Sequence, residues 1–295
     1  MKLIFFGTSE FAVDILRIIS KRCSVVAVVT QPDRKKGRNL KVSAPPVKEE
    51  AAKLGITVLQ PADVNSPQFA AELKELQADA FVVVSFGEML GKELLGIPKF
   101  GPFNIHPSLL PKYRGAAPIN RAILAGEKKT GVTIIRMNEK LDAGDIILQK
   151  EVIIGETDTS ETLSDTLAAR GADLLIEAVK SAEAGRAKFI KQNEAEATFA
   201  PKLKKEDGII RWDLPTVTIL NMIRALKPWP GAYTNLDGRM LKIISAAEVN
   251  GGTFSGFSHG EVITADEKGG FTVKTKDGAI SLLKVQVEGK KEMPA

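Results

Sequence analysis

The chain carries a single cysteine, Cys23, and only two histidines, His106 and His259. One cysteine cannot close an internal disulfide, so a reducing cytoplasm is the expected compartment. Cys23 lies between a basic pair and an apolar run, with no partner near it in sequence. It reads as a structural thiol rather than a nucleophile. Two histidines and one cysteine are too few for a structural zinc site, and no metal is expected. No apolar run approaches the length of a membrane span. The opening Met1-Lys2-Leu3-Ile4-Phe5-Phe6-Gly7 is too short for a secretory signal and reads as a first strand. The dinucleotide fingerprint is missing too. After Gly7 its second and third glycine positions hold Ser9 and Ala12, which argues against a nicotinamide dehydrogenase. There is no internal repeat. The net charge of +5 permits an anionic partner without demanding one.

What is present is a globular composition, 44% hydrophobic and 26% charged over 295 residues. That suits one large domain or two ordinary ones. The first part alternates strand and helix. Strands are expected at 3–6, 25–29, 57–59, 80–84, 131–137 and 145–154. Helices are expected at 11–19, 46–54, 67–77, 118–125 and 160–184. This is an α/β pattern with a mostly parallel, Rossmann-like sheet. Residues 186–203 are polar and weakly periodic and read as a linker. Beyond them a helix at 215–226 accompanies short strands at 209–212, 232–236, 240–246, 261–264, 271–275 and 279–285. That pattern suggests a small β-barrel, OB-like. His259 sits in a Gly/Ser turn and reads as a bystander. Pro228-Trp229-Pro230-Gly231 reads as a rigid packed turn.

One stretch organises the chain. Phe103 and Ile105 alternate with Asn104 and His106, the end of a buried strand with two polar side chains on one face. Pro107 then ends the ladder, having no N–H to donate. Such a strand end faces the crevice where open α/β sheets bind ligands. Asn104 supplies a fixed amide and His106 a group that exchanges a proton near neutral pH. Together they suit a reaction in which an oxyanion develops and a proton moves. The plainer alternatives are a structural histidine and an asparagine that satisfies a strand end. The strand at 80–84 ends in Ser85-Phe86-Gly87, beside this one if the two are parallel. Phe86 and Gly87 can line a slot for a flat ring, or Phe86 can be core. Residues 31–41 hold five basic side chains, Arg34, Lys35, Lys36, Arg38 and Lys41, against one acid, Asp33. They read equally as a solvated loop or as an arm that reaches phosphates.

Asn104-Ile105-His106-Pro107-Ser108-Leu109-Leu110-Pro111, continued by Tyr113-Arg114-Gly115-Ala116-Ala117-Pro118, resembles the signature of folate-dependent transformylases. Leu141-Asp142-Ala143-Gly144-Asp145 is similar to the second signature of that group. Thr30-Gln31-Pro32-Asp33-Arg34 with Gly37-Arg38 resembles the insertion loop of the methionyl-tRNA formyltransferase family. Thr198-Phe199-Ala200-Pro201-Lys202-Leu203 and Lys227-Pro228-Trp229-Pro230-Gly231 resemble the start of its C-terminal domain.

The resemblance implies a formyltransferase domain over residues 1–185, a linker over 186–203 and an OB-like tRNA-binding domain over 204–295. It implies transfer of a formyl group from 10-formyltetrahydrofolate, as co-substrate, to the amine of methionyl-initiator tRNA, by a monomeric enzyme. It makes Asn104, His106 and Asp142 the catalytic set. It assigns Ser108, Leu109, Leu110 and Pro111 to folate binding, with Phe86 and Gly87 beside them. It gives Arg38 to the tRNA acceptor stem, with Arg34, Lys36 and Lys41 in the same basic stretch. The family usually continues past 288–291, whereas this chain stops at Ala295; either a missing tail weakens the tRNA contacts or the sequence is a shortened one. The nearest alternative is an N-formyltransferase acting on a nucleotide-linked amino sugar, against which the insertion at 33–41 argues. A different class is a non-catalytic nucleic-acid-binding protein built from the same two domains.

Overall fold

The computed structural model describes residues 1–36, 41–251, 254–266 and 270–295. The chain divides into two compact units. The first comprises residues 1–118, 129–153 and 164–200, and the second residues 119–128, 154–163 and 201–295.

In chain order the elements begin with β1 (Lys2–Gly7), α1 (Glu10–Ile19), β2 (Ser24–Val29), β3 (Arg34–Lys36), β4 (Lys41–Ser43), α2 (Pro46–Lys53) and β5 (Val58–Leu59). Then come α3 (Pro67–Glu75), β6 (Ala80–Val84), α4 (Lys92–Leu95), β7 (Pro102–His106), α5 (Pro118–Leu124), β8 (Lys129–Arg136), β9 (Asp145–Ile153) and α6 (Ser160–Glu183). The second half adds α7 (Thr216–Ala225), β10 (Ala232–Leu236), β11 (Arg239–Glu248), β12 (Val262–Asp266), β13 (Gly270–Lys274), β14 (Ala279–Val287) and β15 (Met293–Pro294).

The first unit is built on a seven-stranded sheet in the order β5-β2-β1-β6-β7-β8-β9. The four pairings from β5 to β7 are parallel, and the two that add β8 and β9 are antiparallel. The expected mostly parallel sheet is therefore present, with an antiparallel edge. Leu3, Ile4, Phe5 and Phe6 of β1 are fully buried, as a central strand covered on both faces requires. Helix α1 forms because Phe11, Ile15, Leu16 and Ile19 recur on one face, and all are buried. One core layer gathers Ile4, Phe6, Val29, Phe69, Leu73, Phe81, Val83, Phe86, Leu90 and Leu94. On the other side α6 lies close to β7. A Cβ added to Gly171 would come 2.8 Å from Ile105 Cγ2. Ile105 thus faces α6, and Asn104 and His106, one residue out of phase, lie on the opposite face of β7. The strand order reverses between β1 and β6, the position where open α/β sheets open a crevice. There Thr8 Oγ1, after β1, donates to the Phe86 carbonyl, after β6, at 2.9 Å.

In the second unit β10-β11-β14-β13-β12 form one antiparallel sheet, with β15 beside β14. Among the described residues the ladder runs from β10 to β12 without pairing its two edges. Helix α7 is tied to the other segments of its unit by side chains. Arg224 donates to the carbonyls of Gly155 and Asp158 at 2.9 and 2.8 Å. Asn120 donates to the Ala225 carbonyl at 2.7 Å.

Three local expectations change. Residues 209–212 form no strand. Ile209 makes a single bridge to Tyr233, and the chain then turns as Leu214 N–H bonds the Arg211 carbonyl. The basic stretch carries the hairpin β3–β4, in which Arg34 stands opposite Ser43 and Lys36 opposite Lys41. Trp229 is 53% exposed rather than packed. No helix among the described residues is long and apolar enough to cross a membrane.

Candidate active site

The polar end of β7 is enclosed by the loop that follows it and by the loop between β8 and β9. His106 is buried, with a partner facing each ring nitrogen. Its Nε2 lies 2.9 Å from the Tyr113 carbonyl oxygen. A carbonyl only accepts, so Nε2 carries the proton. Its Nδ1 faces Asp142 Oδ2 at 3.6 Å, an ion-pair distance rather than a hydrogen bond. That same carboxylate oxygen accepts the Gly115 N–H at 2.8 Å. The imidazole therefore has a fixed ring plane, with one nitrogen committed and the other turned toward an acid. Asn104, two residues earlier on the same face, has a buried Oδ1 with no protein partner. An orphaned buried acceptor costs about 1–3 kcal/mol, which a ligand N–H placed there would remove.

Both loops adopt conformations that L residues seldom take. Tyr113 has φ +62° and Asp142 φ +48°. Gly144 follows because no side chain fits: an added Cβ would lie 1.9 Å from the Arg136 carbonyl oxygen. This backbone contact fixes how the Asp142 turn leaves β8.

The segment expected to bind folate is knotted by two side chains from the antiparallel edge. Thr133 Oγ1, opposite His106 in the ladder, donates to the Ser108 carbonyl at 2.7 Å. It accepts the Leu110 N–H at 3.2 Å and an N–H of Gln149 at 2.8 Å. Gln149 also donates to the Leu110 carbonyl at 2.9 Å. The Ser108 hydroxyl is fully buried and donates to the Lys112 carbonyl at 2.6 Å. Leu110 is buried as well, while Leu109 and Pro111 stay partly exposed. Of the two readings open for Phe86, packing favours core, since its ring meets Phe6 edge-on at 5.5 Å between centroids. Gly87, at φ +90°, borders open space.

Arg34 is exposed and donates to Gln31 Oε1 at 2.6 Å. Arg38 lies outside the described residues, and so do the side chains of Lys36 and Lys41. Cys23 is half-buried and unpaired, and burial pushes its thiol up, the opposite of activation. Residues that sequence reasoning gave no role are Tyr113, Thr133, Gln149 and Gln192. Their contributions run through a backbone carbonyl or hydrogen bonds between distant loops, for which a single sequence carries no signal.

Comparison with known proteins gives this geometry a family. Residues 1–179 match the family described as formyl transferase, and residues 202–295 match the formyl transferase C-terminal domain. A methionyl-tRNA formyltransferase of Caldanaerobacter subterraneus is 46% identical over 99% of this chain and 94% of that protein. One of Bacillus subtilis is 44% identical over 99% and 92%. The chain belongs to the methionyl-tRNA formyltransferase family. Among solved structures, an N-formyltransferase of Helicobacter canadensis, in complex with folinic acid and dTDP-3-aminofucose, superposes with a TM-score of 0.68 at 22% identity, over 96% of this chain and 99% of that one. HypX of Aquifex aeolicus in complex with tetrahydrofolic acid gives a TM-score of 0.66 at 19% identity, over all of this chain and 46% of that one. At these identities the two structures show a shared fold.

Proposed function

We propose that this chain transfers the formyl group of 10-formyltetrahydrofolate to the amine of methionyl-initiator tRNA, as a monomer, in the cytoplasm where translation starts. The observation that carries the reading is the buried constellation of Asn104, His106 and Asp142, in a chain similar along both domains to methionyl-tRNA formyltransferases. The orphaned Asn104 Oδ1 and the open border at Gly87 fit a co-substrate held beside β7.

In the reaction the methionyl amine forms a bond to the formyl carbon, and the carbonyl electrons move onto oxygen. Collapse of that intermediate breaks the bond to N10, which leaves with the proton shed by the amine. Asn104 fits the stabilising role, because no protein group competes for its Oδ1. A half-turn of the amide presents Nδ2 to the oxyanion, and each such donor is typically worth about 3–4 kcal/mol. His106 Nδ1, the nitrogen that Tyr113 leaves free, takes up the amine proton and relays it toward N10. Asp142 stands beside that nitrogen and offers a carboxylate to receive the amine proton.

Leu109, Pro111 and Gly87 supply accessible surface for the folate, and the knot made by Thr133 and Gln149 sets the shape of the 108–111 loop. Residues 204–295 and the basic stretch at Arg34, Lys36, Arg38 and Lys41 contact the tRNA. The test is formyl transfer from 10-formyltetrahydrofolate to methionyl-initiator tRNA or to a panel of nucleotide-linked amino sugars. Formylation of the tRNA alone is expected. Formylation of a sugar at comparable kcat/KM would overturn the substrate assignment.

A further inference from the structure

We infer that Gln192 is a positioning residue for this reaction, the hub through which residues 190–200 hold the two catalytic loops in register. The inference rests on the roles proposed above for His106 and Asp142.

Residues 190–200 run across both loops. At one end Ile190 and Ile146 exchange backbone hydrogen bonds of 2.9 and 2.8 Å, just after the Asp142 turn. At the other end Thr198 accepts from the Tyr113 N–H at 2.9 Å through its hydroxyl and from the Arg114 N–H at 2.9 Å through its carbonyl. The Ala200 N–H then donates to the Arg114 carbonyl at 2.7 Å. Between these anchors Gln192 uses its whole amide. Its Nε2 donates to the carbonyls of Asp142 and Gly144, at 2.8 and 2.7 Å. Its Oε1 accepts from Arg114 Nη2 at 2.8 Å and Nε at 3.1 Å.

Arg114 is itself 4% exposed and closes on Glu194 at 2.8 and 2.9 Å. The Arg114 guanidinium holds the exposed Glu194 carboxyl below the usual carboxylate range. The residue after Arg114 is Gly115, whose N–H holds the Asp142 carboxylate. One side chain thus fixes the main chain on both sides of Ala143 and also fixes the arginine beside the amide that grips the carboxylate. Asp142 sits at φ +48°, so its turn needs outside support to stay. A displacement of about 1 Å in such a group can lower turnover about 100-fold.

The test uses Gln192→Glu, which keeps the size and the acceptor for Arg114 but removes both donors. Three readouts are taken on the full chain: kcat and both KM values for formyl transfer, exchange of the Gly115 amide, and kcat of the double variant with Asp142→Asn. We expect kcat to fall about 10- to 100-fold with KM values within about threefold. The Gly115 amide should exchange about tenfold faster, and the double variant should be no slower than Asp142→Asn alone. A folded Gln192→Glu protein with wild-type kcat and wild-type Gly115 exchange overturns the proposal, and so does a double variant slowed by the product of the two effects. If Asp142→Asn itself keeps wild-type turnover, the roles assigned to the site fall and the proposal falls with them. A slow Asp142→Asn beside an unaffected Gln192→Glu removes only the present proposal. Should Gln192→Glu not fold, Glu194→Gln decides, because it leaves Gln192 in place and loosens Arg114 from a solvent-exposed end. A threefold loss of kcat with faster Gly115 exchange supports the hub, and no change in either rejects it.

Discussion

Replacing Thr133 by valine tests whether the knot beside His106 is held as the geometry says. The change keeps the shape of a fully buried side chain and removes one oxygen. That oxygen is the donor to the Ser108 carbonyl and the acceptor of the Leu110 N–H. Both bonds are buried, so neither backbone group can turn to water. Each orphaned group costs about 1–3 kcal/mol, giving about 2–5 kcal/mol in total once some relaxation is allowed. Gln149 keeps its bond to the Leu110 carbonyl and adds little to the loss. Against a whole-domain stability of about 5–15 kcal/mol this is a severe change.

Thr133→Ser is the control. It keeps the hydroxyl and removes one methyl, at about 1 kcal/mol. Amide exchange along β7 and β8 reads the opening free energy of this region directly. For Thr133→Val exchange should accelerate about 30-fold to several thousand-fold, since 1.4 kcal/mol is a factor of ten. For Thr133→Ser the acceleration should stay below about tenfold. The reasoning is refuted if the valine variant exchanges like the wild type, or if the serine variant loses as much as the valine variant.

Other outcomes follow from the same structure. Asp142→Asn should lower kcat about 100-fold or more while both substrates still bind, and Asn104→Ala should lose about 100- to 1,000-fold; steady-state kinetics on folded protein checks both. Asp277→Ala should destabilise the second unit by about 1 kcal/mol, because Asp277 accepts the Thr216 N–H and hydroxyl at 2.8 and 2.9 Å and so caps α7 from a distance. Those two bonds hold the Asp277 carboxyl below the usual carboxylate range. Its stabilisation is therefore complete above about pH 4 and is lost as pH falls through the lowered folded value; urea titrations followed by fluorescence should show the gap between wild type and variant closing in acid. Trp212 and Trp229 both belong to the second unit and report on it alone. Arg38→Ala should raise KM for the tRNA and flatten its salt dependence by about 0.9 in log–log slope per lost phosphate contact, as kinetics at several salt concentrations would show.

Much of the architecture was legible from residue order alone. Buried parallel strands such as 80–84 announce themselves as unbroken apolar runs, and α1 announces itself by its 3.6-residue period, because both signals arise from which side chains must leave water. The Asn104–His106 alternation likewise located the polar face of β7, and the signatures pointed to the family in which the near-full-length relatives place the chain. The pairing of 34–36 with 41–43 is not legible in the sequence, because the stretch shows no helical period and the permissive Gly37 makes it read as a loop. The short helix α4 is below the length at which a period can be seen.

Which groups meet His106 was decided only in three dimensions. Asp142 reaches it from another loop, and Tyr113 reaches it through a carbonyl that any residue carries. Gln192, in a stretch whose composition reads as mere connection, gains its meaning from the four hydrogen bonds it makes to groups about 50 and 80 residues away. Sequence determines locally what is buried and what chemistry is on hand. The pairing of distant polar groups depends on where the folded backbone leaves a donor without an acceptor, and that is a property of the tertiary structure.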